Sequence, residues 1–193
     1  MIPAKPNPSL PKYEDVTCTA GHEGSHVVIA AAEGLRLRPE GIMVDPYGHG
    51  LACFCKEPDG SDLSRERIIV ATLVGFRAEK RFREERSYPA RDELDVIWNA
   101  DSRETRKLLS ELPGDYYSNE RKLENRLEDL IEKHWPLIEA LATALLAKDW
   151  EELKPLKSGG TWSHESASTA KYLVGEEVVS ILRRYGIHAV CDP

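Results

Sequence analysis

The 193-residue chain lacks the features of a membrane or secreted protein. No apolar run reaches the roughly 20 residues that a membrane-spanning helix needs. The N-terminal stretch MIPAKPNPSLPKYEDV carries prolines where a secretory signal would need a continuous apolar block. We therefore expect a cytoplasmic protein without a membrane partner.

The chain has only four cysteines, and its acidic residues outnumber its basic ones by 33 to 26. The four cysteines, Cys18, Cys53, Cys55 and Cys191, are expected to stay reduced in a cytoplasmic chain. The Cys-x-Cys pair at 53 and 55 is not a standard structural zinc spacing, so we prefer apolar packing to a metal role for it. The formal net charge of -7 disfavours a nucleic-acid partner held through phosphate contacts.

The sequence does contain a series of helical patterns. Residues 1–12 hold four prolines and are predicted to form a flexible N-terminal arm, followed by one domain at 13–193. Apolar residues at three-four spacing predict helices at 13–33, 63–86, 91–112, 118–150 and 175–186. Gly34 is the expected stop of the first helix, and Pro136 is expected to kink or divide the fourth.

A small β element is predicted after the first helix. Residues 41–55 hold two short β-like runs around the turn signal DPYGHG, which indicates a hairpin or two edge strands. Residues 155–169 are predicted to be a loop. The expected fold class is therefore mainly α within α+β, a helical domain with a small hairpin after the first helix.

The stretch TAGHEGSHVVIAAAEGL (19–35) carries the sharpest chemical pattern. On a helix, His22 and His26 lie on one face, where both can bind one Zn²⁺ at about 2.0–2.1 Å. Glu23 then lies beside the metal and is the candidate general base toward a metal-activated water. The alternative is a pair of partly buried histidines that hydrogen-bond backbone carbonyls.

A catalytic zinc site of this kind needs one more protein ligand. The apolar stripe of the 91–112 helix is interrupted by Asp101 and Thr105, and a buried carboxylate is costly unless it is paired or binds a metal. Asp101 is therefore the leading candidate, although it would equally suit the N-cap of a helix that begins there. Asp92 and Asp95 are weaker candidates, since they fall off the stripe.

Three further residues are weaker candidates for the site. His49, on the predicted turn, could contact substrate, although a solvated turn is the simpler interpretation. His164, in the 155–169 loop, could border a cleft. Glu79 could hydrogen-bond a metal-binding histidine, although an ordinary surface glutamate fits equally well.

Several segments together resemble the protease domain of FtsH-type ATP-dependent zinc metallopeptidases, and more closely the small stand-alone peptidase-like proteins of that family. GHEGSHVVIAAAEG resembles the family's HExxH helix, and GIMVDPYGHGLACF resembles its edge strand with a glycine-rich turn. IIVATLVGFRAEKRF is similar to the following helix with its Gly-x-x-Ala-Glu signature. NADSRETRKLL resembles the segment in which an aspartate opens a helix and binds zinc. HWPLIEALATALL and GEEVVSIL resemble the C-terminal helices, so the similarity covers roughly residues 14–185.

The resemblance implies a mostly helical zinc peptidase with Zn²⁺ bound by His22, His26 and Asp101. It also implies that Glu23 is the catalytic base, and it favours Asp101 over the two earlier aspartates. The chain departs from the family in carrying Gly24 and Ser25 where alanine and glycine are usual, but both residues remain small.

Larger parts of the family pattern are missing. No G-x-x-x-x-G-K-[ST] phosphate loop occurs, so no ATPase of that class is expected, and the family's membrane anchor is absent. The hexameric symmetry of the family does not carry over, because the ATPase ring helps to build it. The sequence therefore leaves open whether the chain forms a homo-oligomer.

The leading functional hypothesis is a zinc-dependent, ATP-independent endopeptidase acting on a peptide or unfolded protein. The substrate would add as a strand along the edge formed by residues 41–55. The alternative is a non-catalytic zinc-binding or peptide-binding protein on the same fold. The intact Glu23 argues against that alternative, and a helical scaffold with a chance HExxH is a third, weaker hypothesis.

Overall fold

The computed structural model describes residues 13–89, 100–153 and 168–192, in which five helices and four strands lie. In chain order these are α1 (Tyr13–Ala32), β1 (Leu37–Val44), β2 (Gly50–Phe54), α2 (Asp62–Glu85), α3 (Ala100–Ser110), α4 (Tyr116–Leu146), β3 (Glu151–Glu152), β4 (Thr169–Leu173) and α5 (Gly175–Arg184). The expected class, mainly helical with a small β element, is confirmed.

Helix α1 lies at the centre of the molecule, packed against α2, α4 and the β1–β2 hairpin. Its apolar run after the histidines, residues 27–30, has no solvent exposure. The helix ends where Gly34 adopts φ +78°, while the N–H groups of Gly34 and Leu35 donate to Ala31 O and Ala30 O at 3.0 and 2.8 Å. This is a Schellman cap, as expected for glycine at this position.

The four strands form one antiparallel sheet in the order β2-β1-β4-β3. The predicted hairpin is present as β1 and β2, although β1 begins at Leu37 rather than at residue 41. Ile42 of β1 pairs with Ala52 on one side and with Leu173 on the other. Among the strands that the structure describes, β2 is therefore an edge of the sheet and β1 is an inner strand.

Strands β3 and β4 were not predicted from the sequence. β4 lies where the loop was expected to end, and its short TAKYL segment buries only Ala170 and Leu173. A five-residue segment with two buried positions carries little periodic signal, and its pairing with β1 is long-range.

Helix α4 continues through Pro136, so the proline does not divide it. Pro136 itself is exposed, whereas Trp135, Leu137 and Ile138 beside it are buried in the core. Proline removes one backbone donor from the helix, but burial of these neighbours favours the helical path.

Several predictions concern residues outside the described ranges. These are the arm at 1–12, the first part of the third predicted helix at 91–99, and most of the 155–169 loop. Within the ranges that are described, no helix combines the length and apolar character needed to cross a membrane.

Candidate functional site

The three residues of the HExxH pattern lie together on the buried side of α1. His22, Glu23 and His26 expose only 8 %, 8 % and 4 % of their surface. The two imidazole rings are 4.8 Å apart between centroids and meet at 69°. The four-residue spacing therefore places both rings side by side, in a part of the protein largely shielded from water.

Each imidazole is anchored through Nδ1. His26 Nδ1 lies 2.7 Å from Ala71 O, and His22 Nδ1 lies 3.2 Å from Glu79 Oε2. A carbonyl oxygen only accepts, so Nδ1 of His26 carries the proton and its lone pair is on Nε2. Histidines that bind metals are commonly held in this way by a carbonyl or carboxylate. The carbonyl contact of His26 also fits the alternative of a buried, hydrogen-bonded histidine.

Gly75 of α2 allows this helix to approach His22 closely. A Cβ at position 75 would lie 2.3 Å from His22 Nε2 and 2.6 Å from both Cδ2 and Cε1. Because the two flanking carbons are nearly as close as Nε2, the contact is with the face of the ring rather than with the edge that carries the Nε2 lone pair. Phe76 contacts the same imidazole edge-on, with centroids 4.9 Å apart.

Glu23 lies against the first residue of the edge strand. A Cβ at Gly50 would meet Glu23 Cγ at 2.4 Å and Oε1 at 2.5 Å. The candidate base is thus in contact with β2, the strand along which a peptide was predicted to bind. Glycine at position 50 is what lets the carboxylate and the strand backbone come so close.

The turn before β2 holds His49 in a fixed orientation. Asp45, which has no solvent exposure, accepts from the backbone N–H groups of Tyr47 and His49 at 2.8 and 2.9 Å through Oδ1. Its other oxygen, Oδ2, lies 2.8 Å from His49 Nδ1. The His49 side chain is 37 % exposed, so it is both held by a buried carboxylate and accessible to a ligand.

The same turn is docked on α1. Thr19 Oγ1 donates to Gly48 O at 2.8 Å, and Gly48 adopts φ +81° in contact with Asp15. His49 directly precedes Gly50 and therefore stands at the end of the strand that contacts Glu23. Sequence reasoning missed the role of Asp45, although an aspartate opening the Asp-Pro-Tyr-Gly turn is a known signal for side-chain bonds to the turn backbone.

The predicted third ligand, Asp101, belongs to α3, but its side chain lies outside the described part of the structure. The other candidates Asp92, Asp95 and His164 lie outside the described residues altogether. Thr105 is 2 % exposed and Leu109 is also 2 % exposed, so the predicted stripe does face the interior. Position 101 is one turn earlier on that same face.

A series of side-chain contacts links α3 to His26. Lys56 Nζ lies 2.7 Å from Glu104 Oε2 of α3 and 5.2 Å from the ring centroid of Phe54. Phe54 in turn stacks on His26, with centroids 6.4 Å apart. Phe54 and Lys56 therefore connect His26 to Glu104 of α3 through successive side-chain contacts.

The donors that are described suit zinc but do not complete a site. Two imidazoles with anchored Nδ1 atoms are the usual pair of ligands in an HExxH centre. Among the described side chains, no group of three or more His, Cys, Asp or Glu is arranged to hold a metal ion. A zinc site with three protein ligands would thus need one more side chain than the described residues supply, and Asp101 remains the predicted candidate.

The two cysteines of the hairpin, Cys53 and Cys55, are half-buried thiols. Burial, reinforced by Glu40 and Glu23, raises the pKa of Cys53 to about 12. Burial and a 3.0 Å hydrogen bond to Asp192 Oδ2 raise the pKa of Cys55 to about 11. Both groups are therefore neutral thiols at pH 7 in the protein without a metal.

Three comparisons with known proteins give the same result. The chain matches no protein-family model, no curated protein sequence and no solved structure.

Proposed function

We propose that this protein is a zinc-dependent, ATP-independent endopeptidase that cleaves short or unstructured peptides in the cytoplasm. One observation carries the proposal. His22 and His26 lie side by side with both Nδ1 atoms anchored, while Glu23 between them contacts the edge strand β2. Two metal-binding groups and one base are thus buried beside a backbone edge suited to a peptide.

The proposed ligands are His22, His26 and Asp101. Glu79 and Ala71 O hold the two rings from behind, which fixes Nε2 as the nitrogen of each ring that binds the metal. Zn²⁺ bound there would polarise the scissile carbonyl and lower the pKa of an attacking water. A largely buried site strengthens such charge interactions relative to bulk water.

Glu23 would accept a proton from the attacking water and then pass it to the leaving amine. Its Oε1 lies against Gly50, so a peptide paired with β2 would run directly past the carboxylate.

The edge strand supports binding by strand addition. β2 ends the sheet order, and its Leu51, Ala52 and Cys53 are half-buried rather than covered. His49, held by Asp45 at the start of this strand, would contact the substrate at the same end as Glu23. Backbone hydrogen bonds from β2 would give affinity with little sequence preference.

Metal content and casein cleavage test the proposal together. We expect stoichiometric zinc in the wild type, its loss in His22→Ala, and much weaker binding in Asp101→Ala. Glu23→Gln should retain zinc and fold but lose cleavage by about 10²–10⁴-fold, since a general base contributes about that much. His188→Ala, at an exposed histidine away from the site, is the matched control and should change neither quantity.

Three outcomes would contradict parts of the proposal. Absence of zinc in the wild type, with no rise in melting temperature on adding zinc, would overturn it. Unchanged zinc affinity in Asp101→Ala would remove Asp101 from the ligand set. Zinc binding without any cleavage would identify a binding protein on this fold instead of an enzyme.

A further inference from the structure

A buried arginine stands behind the histidine pair. Arg83 of α2 is 8 % exposed and lies one helical turn after Glu79, which is 3 % exposed. Nε and Nη2 of Arg83 lie 3.1 and 3.0 Å from Oε1 of Glu79. The other oxygen of the same carboxylate, Oε2, lies 3.2 Å from His22 Nδ1. Each oxygen of Glu79 therefore serves a different partner.

The guanidinium of Arg83 also contacts the start of α1 and the backbone of the segment that follows α2. Nη2 lies 3.1 Å from Asp15 Oδ1, and Nη1 lies 3.2 Å from Pro89 O. Asp15 is two turns before His22 on α1, on the same side of that helix. Arg83 thus ties α1 and α2 together on the side that carries the first histidine.

This arrangement restricts the Glu79 carboxylate. A planar guanidinium presents its donors in a fixed fork, so two N–H groups on one oxygen define where the carboxylate lies. With Oε1 held, Oε2 is turned toward His22 and accepts a hydrogen bond from its Nδ1–H. A partner that orients a metal-binding histidine in this way typically changes metal affinity about 10–100-fold.

We propose that Arg83 is a positioning residue of the zinc site that acts through Glu79 on His22. It holds the carboxylate so that the His22 ring keeps one orientation and one tautomer, with Nε2 as the metal-binding nitrogen. Arg83 itself touches neither the metal nor the substrate. This inference rests on the proposed function, since it concerns the affinity of the same site.

The competing explanation is that Arg83 only joins α1 to α2. In that case its removal would weaken the fold but would alter zinc affinity independently of Glu79, or not at all. A double-mutant cycle separates the two explanations, because residues that act through one another show non-additive effects.

The experiment measures Zn²⁺ affinity of the full chain by competition with a chelator, and records the visible spectrum of the Co²⁺-loaded protein. The variants are Arg83→Met, Glu79→Gln, the double variant, and Arg81→Met as a control. Arg81 lies on the same helix but bonds to Glu85 and Glu132 on its outer side. We expect Arg83→Met to bind zinc about 10–100-fold more weakly and to shift the Co²⁺ spectrum, with no change in Arg81→Met.

The decisive comparison is made in the Glu79→Gln background, where Arg83→Met should cause no further loss of affinity. The double variant also removes the buried charge that Arg83→Met alone would leave uncompensated, so it keeps the test available if the single variant does not fold. An equal loss in both backgrounds, or none in either, would overturn the inference while leaving the proposed function intact. A wild type that binds no zinc would overturn both.

Discussion

At the scale of single residues, two glycines set how closely β2 and α2 approach the histidine face of α1. A Cβ atom at position 50 would clash with Glu23, and one at position 75 would clash with His22, because both would lie closer than van der Waals contact. These positions contribute no functional group. They determine the distance between the groups that do.

Gly75→Ala should therefore disturb the site. The added methyl would lie 2.3 Å from His22 Nε2, so the ring or α2 must shift, at a cost of about 1–3 kcal/mol in stability. We also expect zinc affinity to fall by about tenfold or more, because the ring loses its position against Glu79. Urea unfolding and chelator competition measure the two effects.

Gly24→Ala is the matched control within the HExxH helix. Its Cβ would lie 3.7 Å from Ala142 N and Ile138 O, which is ordinary contact. We expect this variant to keep its zinc affinity and to gain up to about 1 kcal/mol, the difference between glycine and alanine inside a helix. Equal zinc affinities in the two alanine variants would contradict the role given to Gly75.

The local part of the site could be read from the sequence, whereas of the long-range part only Glu79, which contacts His22, was named as a candidate. Spacing alone places His22, Glu23 and His26 on one helix face. The contacts of His26 with Ala71 and of Arg83 with Asp15 join residues far apart in the chain, and no periodic pattern reports such pairs. The burial of a charged network behind the histidines is therefore a finding of the structure alone.

At the scale of elements, local patterns predicted the helices better than the strands. α1 and α2 begin and end within about one residue of their predicted limits, in keeping with caps at Gly34 and Ser61. β4 has only five residues and is paired with the distant strand β1, so its own sequence carries little periodic signal for a strand. The predicted division at Pro136 does not occur, because burial of the residues on both sides favours one continuous helix α4.

An ion pair fixes the C-terminal end of α1 to α4 and α2. Arg126 of α4 hydrogen-bonds Glu33, whose side chain is 5 % exposed, and its Nη1 lies 3.6 Å from Glu66 Oε2 of α2. Arg126→Met would leave the Glu33 carboxylate buried without this partner. We expect a loss of about 2 kcal/mol, below the cost at a fully buried pair because a third of the arginine side chain is exposed.

The control for this pair is Arg77→Met. Arg77 also joins α2 to α4, through Glu124, but both side chains are nearly half exposed. We expect this substitution to cost less than about 1 kcal/mol. Urea unfolding of the two variants side by side gives the comparison, and similar losses would contradict the burial argument.

At the scale of the whole molecule, one buried thiol, Cys18, and two half-buried thiols, Cys53 and Cys55, are expected to make stability depend on alkaline pH. Burial raises the pKa of Cys53 from 9.0 to about 12, and burial raises that of Cys18 to about 11. Cys55 is likewise raised to about 11, by burial and by Asp192. The folded protein therefore holds protons that the unfolded chain releases above pH 9.

This contribution to stability is complete below pH 9 and is lost as the pH rises from 9 toward 11–12. We expect the urea midpoint to fall over this interval. Cys53→Ala should weaken the dependence, so that the stability gap between wild type and variant narrows as the pH rises. Parallel curves for the two proteins would contradict the predicted role of Cys53.

The fold class was within reach of the sequence, because helical periodicity reports it directly. The pairing of β1 with β4, which completes the sheet, could not be predicted from the sequence. It joins β1, near the beginning of the chain, to β4, near the end, and it depends on pairing across the whole intervening length.

That pairing has a consequence for biosynthesis. During translation β1 can pair with β2 at once, but Ile42, Met43 and Val44 keep an unpaired backbone edge until residues 171–173 have left the ribosome. An apolar strand edge of this kind is a template for association with other chains. Once β4 has been made, it covers the β1 edge and removes this template for edge-to-edge association.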